Sequence, residues 1–173
     1  MMIVRLTEKL AKKIKESGLA TLPMNANPFG DWSARLFTAD RAQYILITNT
    51  ATLYSRVIYG KGITDYATFT RAMADSLQDM MEEDNFGATF YEQVAPQAGS
   101  IVFAKSLNRS IIGSMNQLES EAKVILSMEE ISPYDLSFRL NETILSYGKE
   151  YGHPREMFRC AIQRLSNVVP IRR

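Results

Sequence analysis

Residues 101–126 constrain the fold of this chain more than any other stretch. Ile101-Val102-Phe103-Ala104 is a short apolar run of β-branched and aromatic residues, the composition of a strand. Ser106, Asn108 and Ser110 follow, three side chains able to cap a helix start, and no proline interrupts until Pro133. Ile111, Met115, Leu118, Ala122 and Ile125 then recur at steps of four and three, one apolar stripe on a long helix. A strand that passes at once into a long one-sided helix demands a sheet for that helix to cover.

The opposite helix face carries Arg109, Gly113 and Asn116, with Ser110 and Ser114 beside them. A glycine inside a helix costs about 1 kcal/mol against alanine, so Gly113 predicts a close approach by another backbone or a ligand. The first-turn amides and the positive end of the helix dipole, with Arg109 and Lys105 at hand, suit a phosphate or carboxylate. The bland alternative is a cap, a surface ion pair and tight packing. The candidate ligand-binding residues are therefore Lys105, Asn108, Arg109, Ser110, Gly113, Ser114 and Asn116. Trp32, the sole tryptophan, joins them as a stacking surface. Its competing reading is a largely buried ring with its indole N–H bonded.

The rest of the chain supplies the sheet and its cover. Met2–Leu6 reads as an edge or first strand. Thr7 then caps a helix whose apolar side is Leu10, Ala11 and Ile14 and which stops at Gly18; its lysines read as a solvated face. After a loop over residues 22–30 come strands over 33–38, 44–49 and 52–59, the first two joined by Ala39-Asp40-Arg41-Ala42. Apolar residues on both faces of these strands predict a sheet covered on both sides. Thr64 or Asp65 starts a helix with the stripe Tyr66, Phe69, Met73, Leu77 and Met80, its methionines read as core filler. Glu82-Glu83-Asp84 forms an acidic corner, a weaker candidate for a cation site.

A short helix over 88–94 precedes the central stretch. Ser132, Pro133 and Asp135 open a further helix with Leu136, Leu140 and Ile144 inward, Tyr147–Gly152 reads as a loop, and His153-Pro154 opens the last helix. The expected architecture is α+β. A mainly antiparallel sheet of four to five strands, a meander in the first half, is covered by about five helices, and the C-terminal half is mostly helical. The 173 residues, 46% of them hydrophobic, fit a single domain over 1–168 with a frayed tail at 169–173.

Several function classes are disfavoured. No window nears the roughly 18 apolar residues of a membrane helix, and the N-terminus lacks a secretory apolar run, so a cytoplasmic protein without a membrane partner is expected. One cysteine, Cys160, rules out an internal disulfide or a cysteine zinc cage. No cofactor is expected, since dinucleotide and phosphate-loop patterns are missing. A net charge of +1 gives no global field for nucleic acid. That charge is uneven: residues 1–61 hold nine basic and four acidic side chains (+5), residues 62–98 one and seven (−6), residues 99–173 ten and eight (+2). A single histidine, His153, and no nucleophile-elbow pattern argue against a hydrolytic triad.

The landmarks Gly30-Asp31-Trp32 with Leu36-Phe37, Thr48-Asn49, Thr52-Leu53-Tyr54-Ser55, Asn108-Arg109-Ser110 through Gly113-Ser114-Met115-Asn116, and Leu140-Asn141 resemble those of an uncharacterised bacterial domain family. Where that family's pattern continues Asn-Arg-Thr this chain has Asn141-Glu142-Thr143, so no second arginine carries over. The resemblance implies a single domain and no particular activity. Two functional readings stand: a non-catalytic binding or regulatory module for a protein partner or small anionic ligand, with nucleic acid less favoured, or a metal-independent phosphate-ester enzyme such as a small ribonuclease using Arg109 and Lys105.

Overall fold

The computed structural model describes residues 1–168. The tail 169–173, expected to fray, lies outside the described residues. Strands β1 (Met2–Leu6), β2 (Asp31–Ala39), β3 (Ala42–Asn49), β4 (Ser55–Tyr59) and β5 (Ile101–Ala104) form one sheet in the order β4-β3-β2-β1-β5. Helices α1 (Glu8–Lys13), α2 (Tyr66–Glu83), α3 (Gly87–Thr89, continuing as a π-helical turn over Phe90–Val94), α4 (Arg109–Met128), α5 (Pro133–Leu140) and α6 (Pro154–Val168) surround it. A hairpin of β6 (Leu145–Tyr147) and β7 (Glu150–Gly152) stands apart. The chain is one α+β domain, and no described helix is long and apolar enough to cross a membrane.

The meander β2-β3-β4 is antiparallel as its turn chemistry predicts. Asp40 and Arg41 both take positive φ (46° and 63°), the two-residue hairpin geometry that matches strand twist. β1 behaves differently: it pairs parallel with both β2 and β5, so the sheet is mixed and β1 lies inside it. All five β1 residues are buried, which explains why Met-Ile-Val runs apolar without alternation.

Alternation across the pleat sends side chains to two cores. One face presents Val4, Trp32, Ala34, Ile45 and Ile47 to α1, α2 and Phe158 of α6. The other presents Phe37, Tyr44, Leu46 and Val57 to α4 and α5, where Met115, Leu118, Ala122 and Ile125 are the expected buried stripe. In α2, Asp65 provides the cap, its carboxylate accepting from the Thr68 N–H. Phe69, Met73, Leu77 and Met80 are buried there, while exposed Tyr66 leans its ring on Phe103 with centroids 5.6 Å apart.

Three boundaries differ from expectation. β4 begins at Ser55 because Asn49 folds residues 50–53 into a turn, accepting from the Thr52 N–H and hydroxyl, with Leu53 at φ 64°. α1 ends at Lys13, since Lys15 already takes φ 60°. α5 ends at Leu140, leaving Ile144 60% exposed, and residues read as a loop form the β6–β7 hairpin around Gly148.

The outer edge of β4 is covered by α5. Ser137 Oγ accepts from the Val57 N–H at 2.8 Å. Asn141 accepts from the Ser55 N–H at 2.7 Å and donates to the Ser55 carbonyl at 2.9 Å, replacing a neighbouring strand with one amide side chain. This answers the usual liability of a free sheet edge.

Candidate functional site

Because β1 and β5 are parallel neighbours, their carboxyl ends open on the same side of the sheet. An open crevice of about 810 Å³ lies there, lined by Leu6 and Thr7 at the end of β1, Lys12 and Leu19 around α1, and Lys105 and Ser106 after β5. Crevices at the carboxyl ends of parallel strands are the usual ligand positions in open sheets. Its wall is built by the chain beyond α1: Ala20 donates its N–H to Phe103 O (3.2 Å) and accepts from Lys105 N–H (2.8 Å), bridging to the outside of β5.

On the other pleat face of β1 from Leu6 sits the buried pair Arg5–Asp31, with every guanidinium N–H engaged. Nε and Nη2 donate to the two Asp31 carboxylate oxygens at 2.8 Å each. The remaining donors reach Leu22 O (3.0 Å), Pro23 O (2.9 Å) and Lys105 O (3.3 Å). Arg5 has no signal in the sequence and Asp31 only its place in the Gly30-Asp31-Trp32 landmark; their role is architectural: they pin the loop before β2 and the end of β5 to β1.

Thr7, expected to cap α1, makes no side-chain bond to that helix. Its buried Oγ1 has no partner among the described residues. Lys12, read as part of a solvated face, is exposed yet lines the crevice together with Glu8 and Glu16. The two lysines and two glutamates of the lining offset each other, so the charge at the mouth depends on what α4 adds.

At the start of α4, Asn108 is the residue that caps: its side-chain oxygen accepts from the Ile111 N–H at 3.0 Å. Arg109 and Ser110 are exposed, and Arg109 forms no ion pair among the described residues. Ser114 is half-buried. A Cβ on Gly113 would meet nothing within 4 Å, so the packing contact expected to justify this glycine is absent within the described chain.

Asn116 is tied to the sheet, accepting from Arg35 Nη1 at 2.5 Å, and Arg35 also reaches Glu119 at 3.0 Å. Burial would raise the Glu119 carboxyl, but hydrogen bonds from Lys123 and Arg35 outweigh it and hold that group below its ordinary value.

Trp32 is fully buried on the opposite sheet face, its indole N–H donating to Phe29 O at 2.9 Å. It is the packed ring of the two readings, and it does not share a cleft with Arg109 and Asn116. The structure thus brings Lys105 to the crevice mouth and leaves Arg109, Ser110 and Gly113 exposed on the following helix. It commits Asn108 to capping and Asn116 to Arg35.

The acidic corner after α2 does not converge. Glu82 receives Tyr91 and Gln78, whereas buried Asp84 accepts from the Tyr54 hydroxyl at 2.5 Å and forms an ion pair with Arg155. Burial first, then the hydrogen bond to Asp84, pushes the Tyr54 hydroxyl far above its ordinary range. Among the described residues no cluster of three or more His, Cys, Asp or Glu side chains is placed to hold a metal ion. His153 Nδ1 lies 2.7 Å from Glu142 O, and Cys160 is half-buried.

Comparison with curated proteins returned no match. A family profile matches residues 3–157, almost the whole described chain. The chain belongs to the DUF6933 family, a domain of unknown function.

Proposed function

We propose that this protein is a non-catalytic binding module that holds a small anionic ligand at the carboxyl ends of β1 and β5. The observation that carries the reading is the crevice itself, opening where parallel strands end, with Lys12, Lys105 and Ser106 at its mouth. α4 begins three residues past Ser106, and its first-turn amides and dipole favour negative charge. Arg109 adds an exposed guanidinium with no competing carboxylate among the described residues, and a guanidinium binds phosphate or carboxylate bidentately. Glu8 and Glu16 on the α1 wall oppose a heavily charged polyanion, which favours a small ligand over an oligonucleotide.

The test is thermal melting of the native protein with inorganic phosphate, mononucleotides and short oligonucleotides. The expected result is a rise with phosphate or a mononucleotide that vanishes in Lys105→Ala and Arg109→Ala. The unliganded variants should stay within about 1 kcal/mol of native stability, since both side chains are exposed. No shift with any of these anions defeats the reading.

A further inference from the structure

We propose that the apolar pocket between α2, the π-helical turn and the first residues of β1 and β5 binds a small neutral molecule with an apolar body and one hydrogen-bond donor. This pocket lies at the opposite ends of the parallel strands from the crevice, since Met2 and Ile101, which pair across β1 and β5, form part of its wall. Met73 and Leu77 of α2 and Phe90 and Val94 of the π turn add to it, around a space of about 280 Å³. An apolar cavity of about 150 Å³ stays dry and accepts benzene, so this one suits a fused two-ring body.

Two features set the pocket apart from a packing fault. Ala74, Ala95 and Ala98 line it, and any larger apolar residue at these positions would fill the space that close packing otherwise eliminates. The π turn closes with the Ala95 N–H on Phe90 O at 2.8 Å, and such turns are rare and concentrated at functional sites.

The rim decides the ligand's chemistry. Gln78 Nε2 donates to Tyr91 Oη (2.8 Å) and Glu82 Oε1 (3.0 Å), and the Tyr91 hydroxyl donates to Glu82 at 2.5 Å. Both amide hydrogens of Gln78 are thereby spent, and its carbonyl oxygen has no partner among the described residues. That oxygen is an acceptor at the pocket rim. The hydrogen bonds from Tyr91 and Gln78 hold the Glu82 carboxyl below its ordinary value, so it stays charged and repels an anion. A neutral donor fits; a carboxylate does not.

The test compares 2-naphthol, naphthalene and 2-naphthoate, one two-ring body with a donor, without one, and with a negative charge. Binding is read by calorimetry and by NMR shifts of the Ala74, Ala95 and Ala98 methyls. The expected order is 2-naphthol first, naphthalene about tenfold weaker for want of one hydrogen bond, and 2-naphthoate weakest. Gln78→Leu should abolish the preference for 2-naphthol while naphthalene still binds, and Ala74→Phe should abolish binding of both. If Ala74→Phe fails to fold, the methyl map and Gln78→Leu decide. The proposal is overturned if 2-naphthol leaves these methyls unmoved up to its solubility limit. It is equally overturned if 2-naphthoate binds as well as 2-naphthol, or if Gln78→Leu leaves the order unchanged.

Discussion

Along the outer edge of β4, Ser137 and Asn141 meet the backbone groups of Val57 and Ser55 with their own side chains, and Ser55, Val57, Ser137 and Asn141 are all buried. At the carboxyl ends of β1 and β5 the chain is finished otherwise: buried Thr7 Oγ1 lacks a partner among the described residues, Lys12 and Lys105 are exposed, and a crevice stays open. Both regions set a helix beside the sheet, yet one spends its polar groups on the fold and the other leaves its lysines to solvent. A buried polar group must be satisfied internally, whereas exposed ones at a concave mouth are available to a ligand.

The contrast can be broken from its closed parts first. Arg5→Leu, near the end of β1, should cost about 3–5 kcal/mol in denaturant unfolding, because the Asp31 carboxylate is left buried without its cation. Asn141→Ala strands the Ser55 N–H and carbonyl and should cost about 2–4 kcal/mol by the same measurement. Were either loss below 1 kcal/mol, roughly the limit for surface changes, the region would not be closed in the sense argued here.

The open side predicts the reverse sign. Gly113→Ala should stabilise the free protein by about 0.5–1 kcal/mol, since a methyl there meets no neighbour and alanine favours the helix. If the ligand reaches over the first two turns of α4, the same change weakens phosphate binding, so one variant reads both properties. Smallest is the acid limb. Glu119 sits below its ordinary 4.5, so its stabilising effect is complete above that pH and fades as pH falls through the lowered value. Glu119→Gln should therefore flatten the loss of stability below pH 4.5, measured by melting across pH.

Much of the fold was legible. Asn108 and Ser132 cap where their spacing predicts, and the stripe from Met115 to Ile125 is buried as its steps of three and four require. Local geometry decides these features, and neighbouring residues report it. The parallel placement of β1 was not legible, since pairing partners about 28 and 99 positions away leave no local trace beyond an unbroken apolar run. For the same reason Thr7 reads as a cap, and Lys12, exposed as a solvated face predicts, gives no sign of its place on the crevice. The hint available was that β1 and β5 are each a short apolar run passing into a helix. Ile144 and the β6–β7 hairpin were missed because the apolar period continued past the point where Asn141 turns to serve Ser55.

By itself, then, the sequence determined the helix starts, the meander with its Asp40-Arg41 turn, and which helix faces are apolar, because each depends on contacts within a few residues. Only the tertiary structure decided that β1 lies inside the sheet, that Trp32 and Arg109 belong to different faces, and that a crevice and a separate apolar pocket exist. Those follow from which distant strands become neighbours, and that choice depends on burial summed over the whole chain.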